Sequence, residues 1–344
     1  MKKYLFYLIV LMVLVFGAFS LTSQAQNKES ATASTATPAL DPELTNYQYP
    51  FPVQFFETDT QGQKLRMAYM DVAAAQPNGK TVVLLHGKNF SGAYWAPTIK
   101  ALTAAGYRVI APDQIGFGKS AKPATYQFSF QALATNTRKL LTSLGIGKFF
   151  LVGHSMGGML ATRMALMYPA EVEKLILVNP IGLEDWKLVV PYRSVEDNFA
   201  QEMRATPESI KEYQRVNYFA GQWKTEYEPL IEILVGWTRH PECRRIAWNS
   251  ALTSDMIFTQ PVLYEFERLN SPALLIIGQR DRTAIGKALV PKEVASRMGD
   301  YPALGKAAAR RIPNARLVEI QEAGHLPQIE SFQKYIQALL DFIR

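Results

Sequence analysis

Short continuous apolar runs alternate with longer amphipathic stretches along most of this 344-residue chain. Continuous apolar runs predict strands that are buried on both faces, as in a parallel sheet covered by helices. The predicted strands of this kind are residues 81–85, 107–111, 149–152, 174–178, 273–277 and 316–320. The predicted helices are residues 94–105, 128–144, 156–168, a stretch near 287–304 and a final helix from 332. The pattern therefore predicts an α/β fold with a mostly parallel, doubly wound sheet.

Two further strands are predicted before this alternation begins. Residues 51–57 and 65–71 are joined by a polar turn around Gln61-Gly62. Two such runs with a short glycine-containing connection predict an antiparallel hairpin.

The alternation stops after Pro180 and resumes at residue 273. Residues from about 183 to 269 contain helical patterns, many aromatic residues and no strand-like run. We expect this segment to be a helical cap, inserted after the sixth strand, over the carboxyl ends of the strands where open α/β sheets bind ligands. The tryptophans in it fit either core packing or the wall of an apolar pocket: Trp186, Trp223, Trp237 and Trp248.

The N-terminus has the features of an export signal. Lys2 and Lys3 precede an apolar run over residues 4–21, and Ser23-Gln24-Ala25 follows as a small-x-small cleavage site. This pattern predicts a signal peptide over residues 1–25, cut before Gln26, and a periplasmic or secreted protein of a bacterial envelope. An uncleaved anchor helix is the alternative, because about 18 apolar residues can just span a bilayer. We expect a flexible linker over residues 26–46 and one domain over residues 47–344.

Composition and charge narrow the choice of partners. Removing residues 1–25 takes away two lysines and no acid, so the net charge falls from +7 to +5. The basic residues are scattered without a dense run, which gives no support for a nucleic-acid partner. Cys243 is the only cysteine, so no internal disulfide can form. No group of histidines and carboxylates has the spacing of metal ligands, so neither a metal nor a cofactor is predicted, and the expected partner is a small-molecule substrate.

The most specific motif is Gly153-His154-Ser155-Met156-Gly157, between a predicted strand and a predicted helix. In that setting G-x-S-x-G is a nucleophile elbow, a sharp turn that exposes the serine hydroxyl and needs glycine on both sides. A strained backbone is expected at the serine. Ser155 is therefore the candidate nucleophile.

A serine hydroxyl needs a base, and the base needs a third group to hold its tautomer. In sheets of this kind the order along the chain is nucleophile, acid and base. Of the four histidines, His325 alone follows the last strand and has the right order, so it is the candidate base. Asp281 follows the strand before it and is the candidate acid. Glu184 and Asp185 remain the alternatives, one strand earlier.

The oxyanion of acyl transfer needs backbone N–H donors. Met156, directly after the nucleophile and at the start of a helix, is one candidate donor. The second is expected from the loop His86-Gly87-Lys88-Asn89-Phe90, where the N–H of Lys88 is the candidate and that of Asn89 is the nearest alternative.

These motifs together resemble the capped α/β-hydrolase superfamily from about residue 51 to the C-terminus. The resemblance rests on His86-Gly87, the Asp113-x-x-Gly116-x-Gly118-x-Ser120 segment, the Ser155 elbow, Asp281 and Gly324-His325, in family order. It implies a serine hydrolase fold and a Ser-His-Asp mechanism. The family's epoxide hydrolases and haloalkane dehalogenases use an aspartate nucleophile, and Ser155 argues against both.

The expected function is that of an exported serine hydrolase acting on a small or medium apolar carboxylic ester. The string Ser155-Met156-Gly157-Gly158 also resembles C–C hydrolases of ring-cleavage pathways, although many esterases share it. Hydrolysis of a dienoic diketone is therefore one alternative, and a ligand receptor that kept the fold without the chemistry is another. The oligomeric state is left open.

Overall fold

The computed structural model describes residues 37–344. The predicted signal peptide and residues 26–36 of the predicted linker lie outside this range. Within residues 37–344, no helix combines the length and the apolar character that crossing a bilayer would require.

An eight-stranded sheet forms the centre of the molecule. Its strands are β1 (Val53–Thr60), β2 (Gln63–Val72), β3 (Thr81–Leu85), β4 (Arg108–Pro112), β5 (Phe149–His154), β6 (Val172–Val178), β7 (Ala273–Gly278) and β8 (Ala315–Ile320). Their spatial order is β1-β2-β4-β3-β5-β6-β7-β8. The β1–β2 hairpin is antiparallel and joins β4 in antiparallel register, whereas β3 to β8 pair in parallel. The predicted hairpin and mostly parallel sheet are confirmed.

Both faces of the parallel strands are buried, which explains their continuous apolar runs. In β7, Leu275 and Ile277 belong to the core on one face, and Leu274 and Ile276 belong to the core on the other. A strand that alternated polar and apolar residues would place the polar side chains in one of these cores.

The described residues also form α-helices. They are α1 (Ala96–Ala104), α2 (Phe130–Ser143), α3 (Met156–Met167), α4 (Val195–Glu202), α5 (Pro207–Asn217), α6 (Glu232–Thr238), α7 (Cys243–Thr259), α8 (Lys292–Ala295), α9 (Tyr301–Arg311), α10 (Pro327–Glu330) and α11 (Phe332–Ile343). Helices α2, α3 and α9 contribute to one core, and α1 and α11 contribute to the other. The sheet is therefore doubly wound.

One predicted helix is divided. The stretch expected near 287–304 contains a 3-10 turn at Lys287–Leu289, the short helix α8 and the start of α9, which runs on to Arg311. Gly299 separates α8 from α9 with φ +68°, and a Cβ there would lie 2.7 Å from the carbonyl oxygen of Arg282. The chain must turn at this point, so the helical pattern could not continue through it.

Between β6 and β7 the described chain forms helices and no strands. We call residues 183–269 the inserted segment; it contains α4 to α7. Its contacts reach the loops that follow β3 and β8: Lys88 Nζ donates to Ser250 Oγ at 2.7 Å, and the N–H of His325 donates to the carbonyl of Tyr218 at 2.7 Å. The inserted segment therefore lies against the carboxyl ends of these strands.

The N-terminal boundary differs from the prediction. The compact unit begins at Pro38, nine residues before the predicted start at residue 47. Leu40 and Leu44 pack with Trp237 of α6, and the indole N–H of Trp237 donates to the carbonyl of Asp41 at 3.1 Å. The linker prediction is wrong for residues 38–46. Their two leucines pack mainly against residues of the inserted segment, far along the chain, and no local pattern reveals such a contact.

Candidate active site

Ser155 lies in the turn between β5 and α3 with φ 56° and ψ −121°. A non-glycine residue reaches this region of the backbone map only at an energetic cost. The turn is tight enough to require glycine at two places: a Cβ on Gly153 would lie 2.1 Å from the carbonyl oxygen of Gly157, and a Cβ on Gly157 would lie 2.2 Å from that of Leu85. Ser155 is 5% exposed at the tip of this turn.

A hydrogen-bonded chain joins the three predicted reacting residues. Ser155 Oγ lies 2.9 Å from His325 Nε2, and His325 Nδ1 lies 2.7 Å from Asp281 Oδ2. The carboxylate accepts a hydrogen bond from the Nδ1–H group of His325. Nε2 is then the ring nitrogen that can accept from the serine hydroxyl. His325 and Asp281 are fully buried. The arrangement can remove a proton from Ser155 and stabilise the imidazolium that results.

Two further donors hold the carboxylate of Asp281. Asn179 Nδ2 donates to Oδ2 at 2.7 Å, and the N–H of Thr283 donates to Oδ1 at 2.8 Å. Asn179 is itself buried directly after β6, and its side-chain oxygen accepts the N–H of Gly278 at 2.9 Å. Charge-assisted bonds of this kind fix the orientation of a buried carboxylate. Sequence reasoning missed Asn179, although its position at the carboxyl end of a central strand was a usable signal.

The alternative acids, Glu184 and Asp185, have other partners. Glu184 accepts from the indole N–H of Trp186 at 3.1 Å and from the N–H of Gly299 at 2.9 Å. Asp185 accepts from the hydroxyl of Tyr264 at 2.7 Å. The structure brings Asp281, and neither of these two carboxylates, to His325.

The loops that carry Asp281 and His325 pass very close to each other. A Cβ on Gly278 would lie 2.0 Å from the carbonyl oxygen of Gly324, so only glycine fits at that crossing. Glu330 of α10 holds the histidine loop from the other side, because its Oε1 accepts from the N–H of Gly324 at 2.9 Å and from that of Leu326 at 3.2 Å. Burial raises the pKa of the Glu330 carboxyl to about 7.

The candidate oxyanion donors, Met156 and Lys88, belong to the helix after the serine and to the loop after β3. Met156 is the first residue of α3, where the first N–H groups have no acceptor within the helix. Lys88 follows Gly87, on which a Cβ would lie 3.1 Å from Ser155 Cβ, so this loop passes directly beside the nucleophile. The side chain of Lys88 turns to the inserted segment, where Nζ pairs with Glu202 at 3.2 Å and Ser250 at 2.7 Å.

His86 fixes the loop that carries Lys88. Its Nδ1 lies 2.9 Å from the carbonyl oxygen of Gly87, and its Nε2 accepts the N–H of Gln114 at 3.1 Å. These two bonds need one protonated and one bare ring nitrogen. Burial lowers the pKa of His86, which agrees with a neutral ring.

His154 forms a second buried chain beside the first. Its Nδ1 lies 2.9 Å from the hydroxyl of Tyr94, and its Nε2 lies 2.9 Å from the carbonyl oxygen of His325. The carbonyl can only accept, so Nε2 carries the proton and Nδ1 accepts from Tyr94. Burial lowers the pKa of His154 well below its usual range, which keeps the ring neutral. His154 therefore steadies the backbone of His325, a role that the motif did not reveal.

Asp113 holds the loop that follows β4 and contains Gly116 and Gly118. Its carboxylate accepts from the N–H of Gly92 at 2.6 Å, the hydroxyl of Tyr49 at 2.8 Å and the N–H of Lys119 at 2.7 Å. A Cβ on Gly118 would lie 2.1 Å from Asp113 Oδ2, so this glycine permits the close approach of the loop.

The tryptophans of the inserted segment are hydrogen-bonded to other protein groups through their indole N–H. Each indole N–H donates to a protein oxygen: Trp186 to Glu184, Trp223 to Glu228, Trp237 to Asp41 and Trp248 to Ala124. This favours packing over a free pocket wall. Within residues 37–344, no group of three or more histidines, cysteines and carboxylates is arranged to hold a metal ion.

Comparison with known proteins identifies the fold. The model of the α/β hydrolase fold family matches residues 80–332. A crystal structure of a probable hydrolytic enzyme from Pseudomonas aeruginosa PAO1 is 52% identical, with a TM-score of 0.88 over 90% of this chain and 99% of that one. A 2-hydroxy-6-oxononadienedioate/2-hydroxy-6-oxononatrienedioate hydrolase of Burkholderia vietnamiensis is 29% identical over 82% of this chain and 92% of the relative.

A thermophilic esterase from Thermogutta terrifontis is also similar, at 25% identity, with a TM-score of 0.61 over 85% of this chain and 98% of that one. The family match covers more than half of the chain. Within the matched residues, Ser155 follows β5, Asp281 follows β7 and His325 follows β8. The chain belongs to the α/β hydrolase fold family and is a hydrolase of that fold.

Proposed function

We propose that this protein is an exported serine hydrolase that cleaves a small or medium apolar carboxylic ester through an acyl-enzyme. The observation that carries the proposal is the buried chain from Ser155 Oγ through the imidazole of His325 to the carboxylate of Asp281. This is the geometry that activates a serine hydroxyl for attack on a carbonyl carbon.

The proposed reaction has two halves. Ser155 Oγ bonds to the ester carbonyl carbon while its proton passes to His325 Nε2, and the N–H groups of Met156 and Lys88 stabilise the oxyanion. The tetrahedral intermediate then expels the alcohol, which takes the proton from His325. Water attacks the acyl-enzyme, with His325 as the base, and releases the acid and the free Ser155.

The surroundings of the site support an uncharged, apolar substrate. Phe90 packs against Tyr94, Tyr218 and the ring of His154, and Tyr218 stacks on the ring of His325. Lys88 lies in the loop that passes beside the nucleophile, and its ammonium group is already paired with Glu202 of the inserted segment. A substrate carboxylate would have to compete for this lysine, whereas an apolar acyl chain would not. The inserted segment, in this proposal, is a cap that shapes the pocket.

Hydrolysis of a C–C bond in a dienoic diketone is the second candidate. It is favoured by the similarity to the Burkholderia vietnamiensis hydrolase, at 29% identity over 82% of this chain. Both reactions can use the same serine, so substrate preference separates them better than trapping of an acyl-enzyme.

The test is a substrate profile of the purified chain. Para-nitrophenyl esters of graded acyl length, from acetate to laurate, are compared with a ring-cleavage dienoic diketone by kcat/KM. We expect the highest kcat/KM on a short or medium acyl ester. A higher kcat/KM on the diketone than on every ester would replace this proposal with the second candidate.

Export is proposed from the N-terminal sequence alone, through Lys2, Lys3, the apolar run and Ser23-Gln24-Ala25. N-terminal sequencing of protein recovered from the native host is expected to begin near Gln26 in the periplasmic or extracellular fraction. A chain that begins at Met1 or Lys2 and sediments with membranes would support an uncleaved anchor instead.

A further inference from the structure

Tyr218 is a residue of the inserted segment that reaches the candidate active site. It follows helix α5 directly, and its N–H donates to the carbonyl of Gln214 at 2.8 Å, which closes the last turn. The side chain is 5% exposed.

Two contacts join Tyr218 to His325. The phenol ring stacks on the imidazole with 4.7 Å between ring centroids and 24° between ring planes. The carbonyl oxygen of Tyr218 accepts the N–H of His325 at 2.7 Å. A Cβ on Gly324 would lie 2.3 Å from that same carbonyl oxygen, so the glycine before the histidine allows this close approach. One residue therefore holds both the ring and the backbone of the candidate base.

A third contact joins Tyr218 to the opposite side of the site. Its hydroxyl accepts from Asn89 Nδ2 at 2.8 Å, and Asn89 directly follows Lys88 in the candidate oxyanion loop. Burial raises the pKa of the Tyr218 phenol well above its usual range, so the group is a neutral phenol. The loop after β3 and the loop after β8 are thus connected through a single side chain of the inserted segment.

We propose that Tyr218 is a positioning residue for the base: its ring and carbonyl hold His325, and its hydroxyl holds the loop that carries Lys88. The inference rests on the proposed function, in which His325 becomes an imidazolium during acyl transfer. The face of an aromatic ring attracts a cation, and the attraction strengthens when water is excluded. Tyr218 then favours the charged form of His325 that develops in the transition state and keeps its Nε2 directed at Ser155.

The experiment compares Tyr218→Leu, Tyr218→Phe and the control Tyr227→Leu. Tyr227 is a matched control because it is 2% exposed and stacks on Phe219, at 3.9 Å and 11°, in the same aromatic cluster without touching His325. The measurements are the second-order rate of Ser155 labelling by a fluorophosphonate probe, kcat and KM for para-nitrophenyl acetate, and the midpoint of thermal unfolding.

We expect both leucine variants to lower the unfolding midpoint, and only Tyr218→Leu to lower the labelling rate and kcat, by about tenfold with little change in KM. Tyr218→Phe keeps the aromatic face on His325 but loses the hydroxyl that accepts from Asn89, so its rate should lie between those of the wild type and Tyr218→Leu. Tyr218→Met, which has no aromatic face, replaces the leucine variant if that variant does not fold.

Two results would overturn the inference: an equal loss of rate in Tyr218→Leu and Tyr227→Leu, or a loss in Tyr218→Phe as large as in Tyr218→Leu. Failure of the proposed function is a different result, because the wild-type protein itself would then show neither labelling of Ser155 nor ester turnover.

Discussion

At the scale of single residues, the site combines side chains whose sequence signals differ in kind. Ser155 has a local motif, His325 has the right position after the last strand, and Asp281 has strand order alone. The structure brings these three side chains together, as the sequence signals led us to expect. Asn179 has a usable signal in its position at the carboxyl end of a central strand, but its role and that of His154 depend on contacts with Asp281 and His325, far along the chain.

The prediction of Asp281 as the acid rests on strand order, and a substitution at this residue tests it directly. Asp281→Asn keeps the shape but removes the charge that stabilises the imidazolium of His325, and it can hold the ring in the wrong tautomer. We expect a fall in kcat of order 10⁴, the size seen for the same change in another serine hydrolase. Asp185→Asn and Glu184→Gln are the matched controls and should retain most of the activity, since their carboxylates have partners elsewhere.

If Asp281→Asn kept nearly all of the wild-type kcat and Asp185→Asn lost most of it, the acid would lie one strand earlier. That result would contradict the hydrogen bond of 2.7 Å between His325 Nδ1 and Asp281 Oδ2 as the working arrangement.

At the scale of elements, the site depends on loops at the carboxyl ends of β5, β7 and β8. The strands themselves were predictable, because a strand buried on both faces leaves a continuous apolar run. The fit between the loops was not, because a Cβ on Gly278 would lie 2.0 Å from the carbonyl oxygen of Gly324, and a contact between residues so far apart along the chain leaves no local pattern. The role of Glu330 was not predictable either. It accepts from the backbone N–H groups of Gly324 and Leu326, and a backbone donor leaves no signal in the sequence.

Glu330 should make stability depend on pH in a particular direction. Its pKa is raised from an ordinary value of 4.5 to about 7 in the folded protein. Between these values the unfolded chain has lost the proton and the folded chain still holds it, so this group's contribution to stability is fully present at low pH and falls as pH rises toward 7. Glu330→Gln cannot ionise and retains an oxygen that accepts the two N–H groups.

The expected result is an unfolding midpoint for Glu330→Gln that is close to the wild-type value at pH 5 and higher at pH 8. Glu57→Gln, at an exposed position in β1, is the control and should show no such divergence. Parallel curves for Glu330→Gln and wild type from pH 5 to pH 8 would contradict the prediction.

At the scale of the whole molecule, residues 38–46 pack against the inserted segment, and the sequence patterns did not predict this packing. The long stretch without strands indicated an insertion, but its contacts with the N-terminal residues are between distant parts of the chain. Leu44 is fully buried beside Trp237, and its carbonyl accepts from Lys119 Nζ. The predicted linker extended to residue 46 because few apolar residues are present there, whereas the two leucines pack against the inserted segment and Arg245 pairs with Glu43.

Leu44→Ala tests this docking. Truncating a fully buried leucine typically costs about 2–5 kcal/mol of unfolding free energy. We expect a loss in this range by chemical denaturation, and little change for the control Leu188→Ala, because Leu188 is 77% exposed. Equal stability of Leu44→Ala and wild type would restore the linker interpretation for residues 38–46.

The most direct test of the central claim is covalent labelling of the purified protein by a fluorophosphonate, followed by peptide mass spectrometry. We predict a single adduct on Ser155, and for Ser155→Ala no adduct and a fall in ester turnover of about 10⁴-fold or more, since loss of a triad nucleophile has such effects in related enzymes. The thermal midpoint of the variant should stay near that of wild type. An adduct at another residue, or more than about a tenth of wild-type turnover in Ser155→Ala, would contradict the assignment of Ser155 as the nucleophile.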